Sequence, residues 1–204
     1  MRGKFITFEG SEGCGKSTQS RMLYDYLKRK RDDVVYLREP GGTYISEKIR
    51  DILLDTKNNS ILPECEVLLY MAARSQIVGQ VIKPSLKKGA IVICDRFLDS
   101  TIAYQGYGLG IDRKIIKEIG RFAAFGLMPD LTIFLDLPVN KGLLYRSGSS
   151  DRIEKRPLDY HLRVRRGYLR LAKEEPERIK VVKVELDKNH TQERIREIVD
   201  RYAF

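Results

Sequence analysis

Two periodicities alternate along the chain. Short runs rich in β-branched and aromatic residues, Phe5–Phe8, Val34–Leu37, Ala90–Cys94, Leu131–Leu135 and Ile179–Val184, predict strands. Between them apolar residues return every three or four positions. That spacing predicts helices over Ser17–Arg29, Tyr44–Leu54, Pro63–Lys87, Arg113–Phe125, Leu158–Lys173 and Thr191–Tyr202. Pro63 suits a first helical turn, whereas Pro84 is expected to bend or end its helix. Regular alternation implies βαβ units, hence α/β architecture with a five-stranded parallel sheet and helices on both faces. Such sheets bind ligands beyond the carboxyl ends of their strands, so chemistry is expected after Phe8, Leu37, Cys94 and Leu135. Gly106-Tyr107-Gly108-Leu109-Gly110 looks like a nucleotide fingerprint, but it follows a helical pattern rather than a strand and reads as a loop.

Composition narrows the class. With 204 residues, 42% hydrophobic and 32% charged, the chain is expected to form one domain, residues 1–204, with its own core. Its apolar runs fall far short of the roughly 20 residues of a membrane span. The opening Phe5–Phe8 run meets Glu9 at once, which is unlike a signal peptide. Cys14, Cys65 and Cys94 form no CxxC pair, so a disulfide framework or zinc site is not expected and a reducing cytoplasm is. The net charge of +10 is uneven: residues 141–170 carry nine Lys/Arg against three Asp/Glu. That excess suits phosphates, free or on nucleic acid, or a solvated helix face. Inside it Ser147-Gly148-Ser149-Ser150, flanked by Arg146 and Arg152, reads as a lid or as an ordinary helix–helix turn.

Gly10-Ser11-Glu12-Gly13-Cys14-Gly15-Lys16-Ser17 fits G-x-x-x-x-G-K-[ST] between a predicted strand and helix, with Thr18 next. The glycines let backbone N–H groups converge on phosphate oxygens. Lys16 can reach the terminal phosphates of a nucleoside triphosphate, and Ser17 Oγ can ligate Mg²⁺. Glu12 sets a carboxylate in an anion cradle, so it faces either solvent or a second ligand's hydroxyl. Cys14 reads as packing, though its place at a helix N-terminus predicts a thiol of depressed pKa whose alkylation inactivates the protein. Asp95-Arg96 ends the third strand. The Asp can serve Mg²⁺ or cap a helix, and the Arg can fork onto phosphate. Arg38 to Thr43 follows the second strand. Tyr70 and Arg74, four apart, share one helix face, as core with a snorkelling Arg or as an aromatic platform beside a cation.

Together these segments resemble the bacterial thymidylate kinases over essentially the whole chain: Phe8 to Thr18, Arg38–Thr43, Tyr70-Met71-Ala72-Ala73-Arg74, Asp95-Arg96-Phe97 with Ser100-Thr101, Ala103-Tyr104-Gln105-Gly106, and Asp151-Arg152-Ile153-Glu154. The resemblance implies a P-loop NTPase fold with a short lid at about 146–156. It also implies ATP on the P-loop, dTMP opposite, and a homodimer packed through helices. Tyr70 would stack on thymine, Arg74 and Thr101 would bond its edge, and Tyr104 would lie beneath the sugar and exclude a 2′-hydroxyl. Ser100 and Gln105 belong to the same implied dTMP site. Glu12 would accept from the 3′-hydroxyl, Arg96 with Arg38 and Arg50 would grip the monophosphate, and Asp95 would orient the magnesium shell. Gly13 stands where some relatives place a catalytic arginine, which leaves the lid's Arg146 or Arg152, with Arg156 further off. Two rivals remain: a P-loop kinase for another nucleotide or a small alcohol, and a nucleic-acid-binding ATPase suggested by Lys28-Arg29-Lys30-Arg31, a run that Asp32 and Asp33 partly neutralise.

Overall fold

A computed structural model describes residues 3–145 and 151–203. Its frame is a parallel sheet of β1 (Lys4–Gly10), β2 (Val34–Arg38), β3 (Ile91–Asp95), β4 (Leu131–Asp136) and β5 (Ile179–Lys183), in the order β2-β3-β1-β4-β5. The inner strands β1, β3 and β4 are near-continuous apolar runs and almost wholly buried, as a sheet covered on both faces requires. β5, Ile-Lys-Val-Val-Lys, lies at one edge, where exposed residues are tolerated.

Around the sheet lie α1 (Lys16–Lys28), α2 (Tyr44–Leu54), α3 (Pro63–Ile77), α4 (Lys83–Lys87), α5 (Leu98–Thr101), α6 (Arg113–Ala123), α7 (Val139–Leu144), α8 (Leu158–Glu174) and α9 (Lys188–Ala203). Alternate strand residues feed two cores. Ile6, Phe8, Ile93 and Leu135 pack with Leu23 of α1 and Ile195 of α9. Phe5, Val92 and Phe134 pack on the other face with Ile77 and Tyr168.

Three local readings change. The stretch expected as one helix to Lys87 contains a π-helical turn, Val78–Ile82, just ahead of Pro84. Pro84 has no N–H to give and its ring crowds the preceding turn, and a widened turn there accommodates both. α5 and α7, at four and six residues, are too short for a periodic signal. Finally, of the run expected as a loop, Gly106–Gly108 closes a π-helical stretch, Ile102–Gly108, and Leu109 and Gly110 follow it as turn and loop. Its Gly108 serves packing: a Cβ there would sit 2.5 Å from the Tyr160 ring of α8.

Candidate functional site

The strand register sets Phe8 and Arg38 beside Asp95, so the carboxyl ends of β1, β2 and β3 open at one level. A cleft of about 400 Å³ lies there. One wall is the loop from β1 to α1, with Glu12, Gly13, Gly15, Lys16, Ser17 and Thr18 on the cleft; Gly10, Ser11 and Cys14 form its buried underside. Lys16 Nζ donates to Ser11 O at 2.7 Å, which curls the side chain over its own loop. Ser17 Oγ donates to Asp95 Oδ2 at 2.5 Å, whereas Asp95 Oδ1 is buried and without a partner. A hydroxyl and an under-coordinated carboxylate side by side fit a hard divalent cation that takes oxygen ligands.

Gly13 takes φ +70, and a Cβ on it would stand 1.9 Å from Gly142 O of α7. The close approach of α7 leaves no room for an arginine there. Cys14 corrects an expectation: its thiol is 1% exposed, and burial pushes its pKa up, although the cations of Lys16 and Arg96 pull the other way. The helix N-terminus is overridden because a thiolate there would have no water.

The facing wall is tied to the loop through Arg96. Its Nη2 donates to Glu12 Oε1 at 2.7 Å, and the Tyr104 hydroxyl donates to the same oxygen at 2.6 Å. Burial alone would raise the Glu12 carboxyl, but Arg96, Lys16 and the Tyr104 hydroxyl together hold it at about 2. Glu12 Oε2 bonds no donor among the described residues. Arg96 has φ 72, a left-handed conformation costly for a residue with a side chain, and such strain collects at functional sites. Its neighbours enforce it: Arg96 N donates to Phe8 O at 2.9 Å and Phe97 N to Glu9 Oε1 at 2.8 Å. Glu9 also accepts from Ser100 Oγ at 2.5 Å and from the Tyr168 hydroxyl at 2.9 Å. Ser100 in turn accepts from Arg96 Nη1 at 3.3 Å.

Deeper in the cleft, Arg74 donates through Nε to Glu39 Oε2 at 2.9 Å and through Nη2 to Thr101 Oγ1 at 3.1 Å. Tyr70 lies one turn earlier on α3 and lines the same cleft. Burial raises the Glu39 carboxyl to about 6 against the pull of Arg74. At the rim Arg38 and Arg50 both donate to Pro40 O, at 3.0 and 2.9 Å. Arg38 also pairs with Glu47, whereas Arg50 meets no carboxylate among the described residues; burial and the Arg38 cation both penalise its charge. An arriving anion would relieve that.

Gln105 lines the cleft and donates through Nε2 to Glu66 Oε1 at 2.8 Å. Glu66 Oε2 accepts from Arg152 Nη2 at 2.6 Å and from Arg156 Nη2 at 2.7 Å. Arg152 is thus committed to a buried carboxylate, with its Nε on Leu53 O at 3.0 Å, and does not reach the cleft. Arg146 and Ser147–Ser150 lie outside the described residues. Glu9, Glu39, Glu66 and Tyr168 were missed as site residues. Glu66 had a signal: with Tyr70 and Arg74 it repeats every four residues on one helix face.

Residues 8–195 match the family model described as Thymidylate kinase. The chain is 48% identical over 179 residues to the thymidylate kinase of Caldanaerobacter subterraneus subsp. tengcongensis, covering 87% of this chain and 86% of that one. It is 46% identical over 200 residues to the thymidylate kinase of Gloeobacter violaceus, covering 96% and 94%. The crystal structure of thymidylate kinase from Ehrlichia chaffeensis superposes with a TM-score of 0.82 at 35% identity, over 98% of this chain and 100% of that one.

Proposed function

This chain belongs to the thymidylate kinase family, and we propose that it transfers the terminal phosphoryl group of ATP to dTMP, giving ADP and dTDP. The observation that carries this reading is the Glu12–Arg96–Tyr104 knot, which joins a phosphate-binding loop to an arginine-rich, aromatic wall across one cleft.

ATP lies with its phosphates on the loop from Gly10 to Thr18, cradled by backbone N–H groups, and Lys16 leaves Ser11 O for the terminal phosphates. Ser17 and Asp95 would hold Mg²⁺, which would supply charge neutralisation on the ATP phosphates. Opposite, Tyr70 offers its ring face to thymine, Arg74 and Thr101 its edge contacts, and Tyr104 the floor beneath the sugar. Glu12 Oε2 accepts from the 3′-hydroxyl. Arg96 turns its guanidinium fork onto the monophosphate, with Arg38 and Arg50 at the rim. A phosphate oxygen of dTMP then bonds to the terminal phosphorus as the bond to the ADP oxygen breaks. The acceptor is already ionised, so no strong general base is required. Lys16 and Arg96 stabilise the charge that gathers on the equatorial oxygens.

The chain works as a homodimer in the cytoplasm, without nucleic acid. In support, α3 and α6 pack together and leave Leu68, Phe122 and Phe125 exposed, apolar surface suited to a second copy. All three cysteines are free, and among the described residues no helix is long and apolar enough to cross a membrane. The basic run ending α1 is engaged locally: Arg31 pairs with Asp33, and Lys30 reaches the Tyr26 hydroxyl. An ADP-release assay across dTMP, dUMP, dCMP, dGMP and AMP tests the activity. dTMP should give the highest kcat/KM, and a preference for a purine nucleotide would sink the reading.

A further inference from the structure

Glu66 is fully buried beneath the cleft and receives donors from three directions, namely Gln105 on Oε1 and both Arg152 and Arg156 on Oε2. Its Oε2 is ion-paired with two guanidinium groups, and a carboxylate in such a pair accepts but cannot donate. This decides the orientation of the Gln105 amide. Its NH₂ must face Glu66, because a carbonyl turned that way would meet acceptors only. What remains for the cleft is Gln105 Oε1, which bonds no donor among the described residues.

Resting on the reading of this cleft as the dTMP site, we propose that Glu66 is a specificity-positioning residue: it locks Gln105 with its carbonyl oxygen toward the base and so favours a pyrimidine that carries a ring N–H over one that carries a ring acceptor. The other polar groups at this end complete a pattern. Arg74 has only donors, and the Thr101 hydroxyl, which already accepts from Arg74 Nη2, has its hydrogen free to give. Two donors beside one acceptor supply what the carbonyl and N–H groups of the thymine or uracil edge need. Cytosine presents an amino group, a bare ring nitrogen and a carbonyl. Its ring nitrogen would set a lone pair against the Gln105 oxygen, and both would stay buried without a partner. Sites built to bond a substrate N–H reject analogues that lack it for this reason. Glu66 touches no nucleotide in this scheme and acts through Gln105.

Glu66→Gln is nearly isosteric and tests the idea, because a glutamine at 66 can meet Gln105 with either an oxygen or an NH₂. The ratio of kcat/KM for dTMP to that for dCMP is expected to fall at least about tenfold. A purely structural Glu66 would lower both values in proportion, and an unchanged ratio in a folded variant overturns the proposal. If the variant does not fold, the wild-type protein serves: the Gln105 side-chain amide protons should exchange slowly and keep their chemical shifts when dTMP is added. Nuclear Overhauser contacts from those protons to the base would overturn the proposal. A wild-type protein that phosphorylates neither nucleotide overturns the kinase reading itself, and this inference with it.

Discussion

Two arginine–glutamate contacts of nearly equal length stand one on the cleft and one buried beneath it. Arg96 meets Glu12 at 2.7 Å with side chains 21% and 13% exposed, whereas Arg152 meets Glu66 at 2.6 Å with 6% and 0% exposed. The first pair lines the cleft, on a backbone held in a left-handed turn at Arg96, and in the proposed dTMP complex each partner has a substitute. A phosphate can take over the guanidinium while a sugar hydroxyl takes over the carboxylate, so neither charge is stranded. The second pair has no such exit, and separating it would leave a charge bare in the interior. Exchangeability of partners, not bond length, separates the site from its scaffold.

The sharpest test of that contrast is Arg96→Ala. It should lower kcat/KM for dTMP by about 10³ or more while thermal stability changes little, because Glu12 keeps Lys16 and Tyr104. Arg96→Lys should recover only part, since an ammonium keeps the charge but loses the fork. Steady-state kinetics beside a melting curve reads both. Retention of a tenth of wild-type activity in Arg96→Ala would break the assignment.

Arg152→Ala should do the reverse. It leaves Glu66 with one cation, Arg156, beside the Gln105 amide, and should cost about 3 kcal/mol of stability, with kcat changed only several-fold. Denaturant midpoints and kcat measured together decide. A large loss of kcat at unchanged stability would mean that Arg152 leaves Glu66 during turnover, as the lid-arginine expectation required.

Glu9 at the end of β1 and Glu12 in the loop that follows have opposite pH signatures. Burial and then Asp99 push Glu9 from 4.5 up to about 7, against Ser100, Arg96 and the Phe97 N–H, while Glu12 is held down at about 2. In the folded chain Glu9 keeps a proton that the unfolded chain has lost, so its contribution is complete below about 4.5 and disappears as pH rises through about 7. Glu12 contributes above about 4.5 and loses its contribution as pH falls toward 2. The unfolding free energy from urea titrations between pH 5 and 8 should therefore decline for the wild type by about 1–3 kcal/mol and stay nearly level for Glu9→Gln. A matching decline in Glu9→Gln would assign the slope elsewhere.

Sequence made legible what is local. The phosphate loop is a contiguous motif, Asp95-Arg96 follows an apolar run, and five strands announce themselves by composition, though their order in the sheet does not. What escaped joins distant segments: Glu66 to Arg152 across 86 residues, and Glu9 to Tyr168 across 159. A buried carboxylate looks like any other acid until its donors are in place. Within Gly106 to Gly110 glycine serves both purposes, close packing at Gly108 against the Tyr160 ring and a turn at Gly110 with φ +86, and sequence alone does not tell them apart.

The smallest effect concerns the thiols and probes whether the exchangeable region extends beneath the loop. Cys65 is exposed, whereas Cys14 and Cys94 are buried. Cys14 lies under the loop, where burial raises its pKa and Lys16 Nζ, 3.7 Å away, does not offset this. A thiol reagent needs both the thiolate and a path to it, and the folded chain provides neither at Cys14. The wild type should take up about one label per chain without loss of activity, and Cys65→Ser should take up almost none over the same time, with or without ATP. Rapid labelling of Cys65→Ser with loss of activity would show that the loop opens to its underside, so that Gly10, Ser11 and Cys14 do not stay buried during turnover.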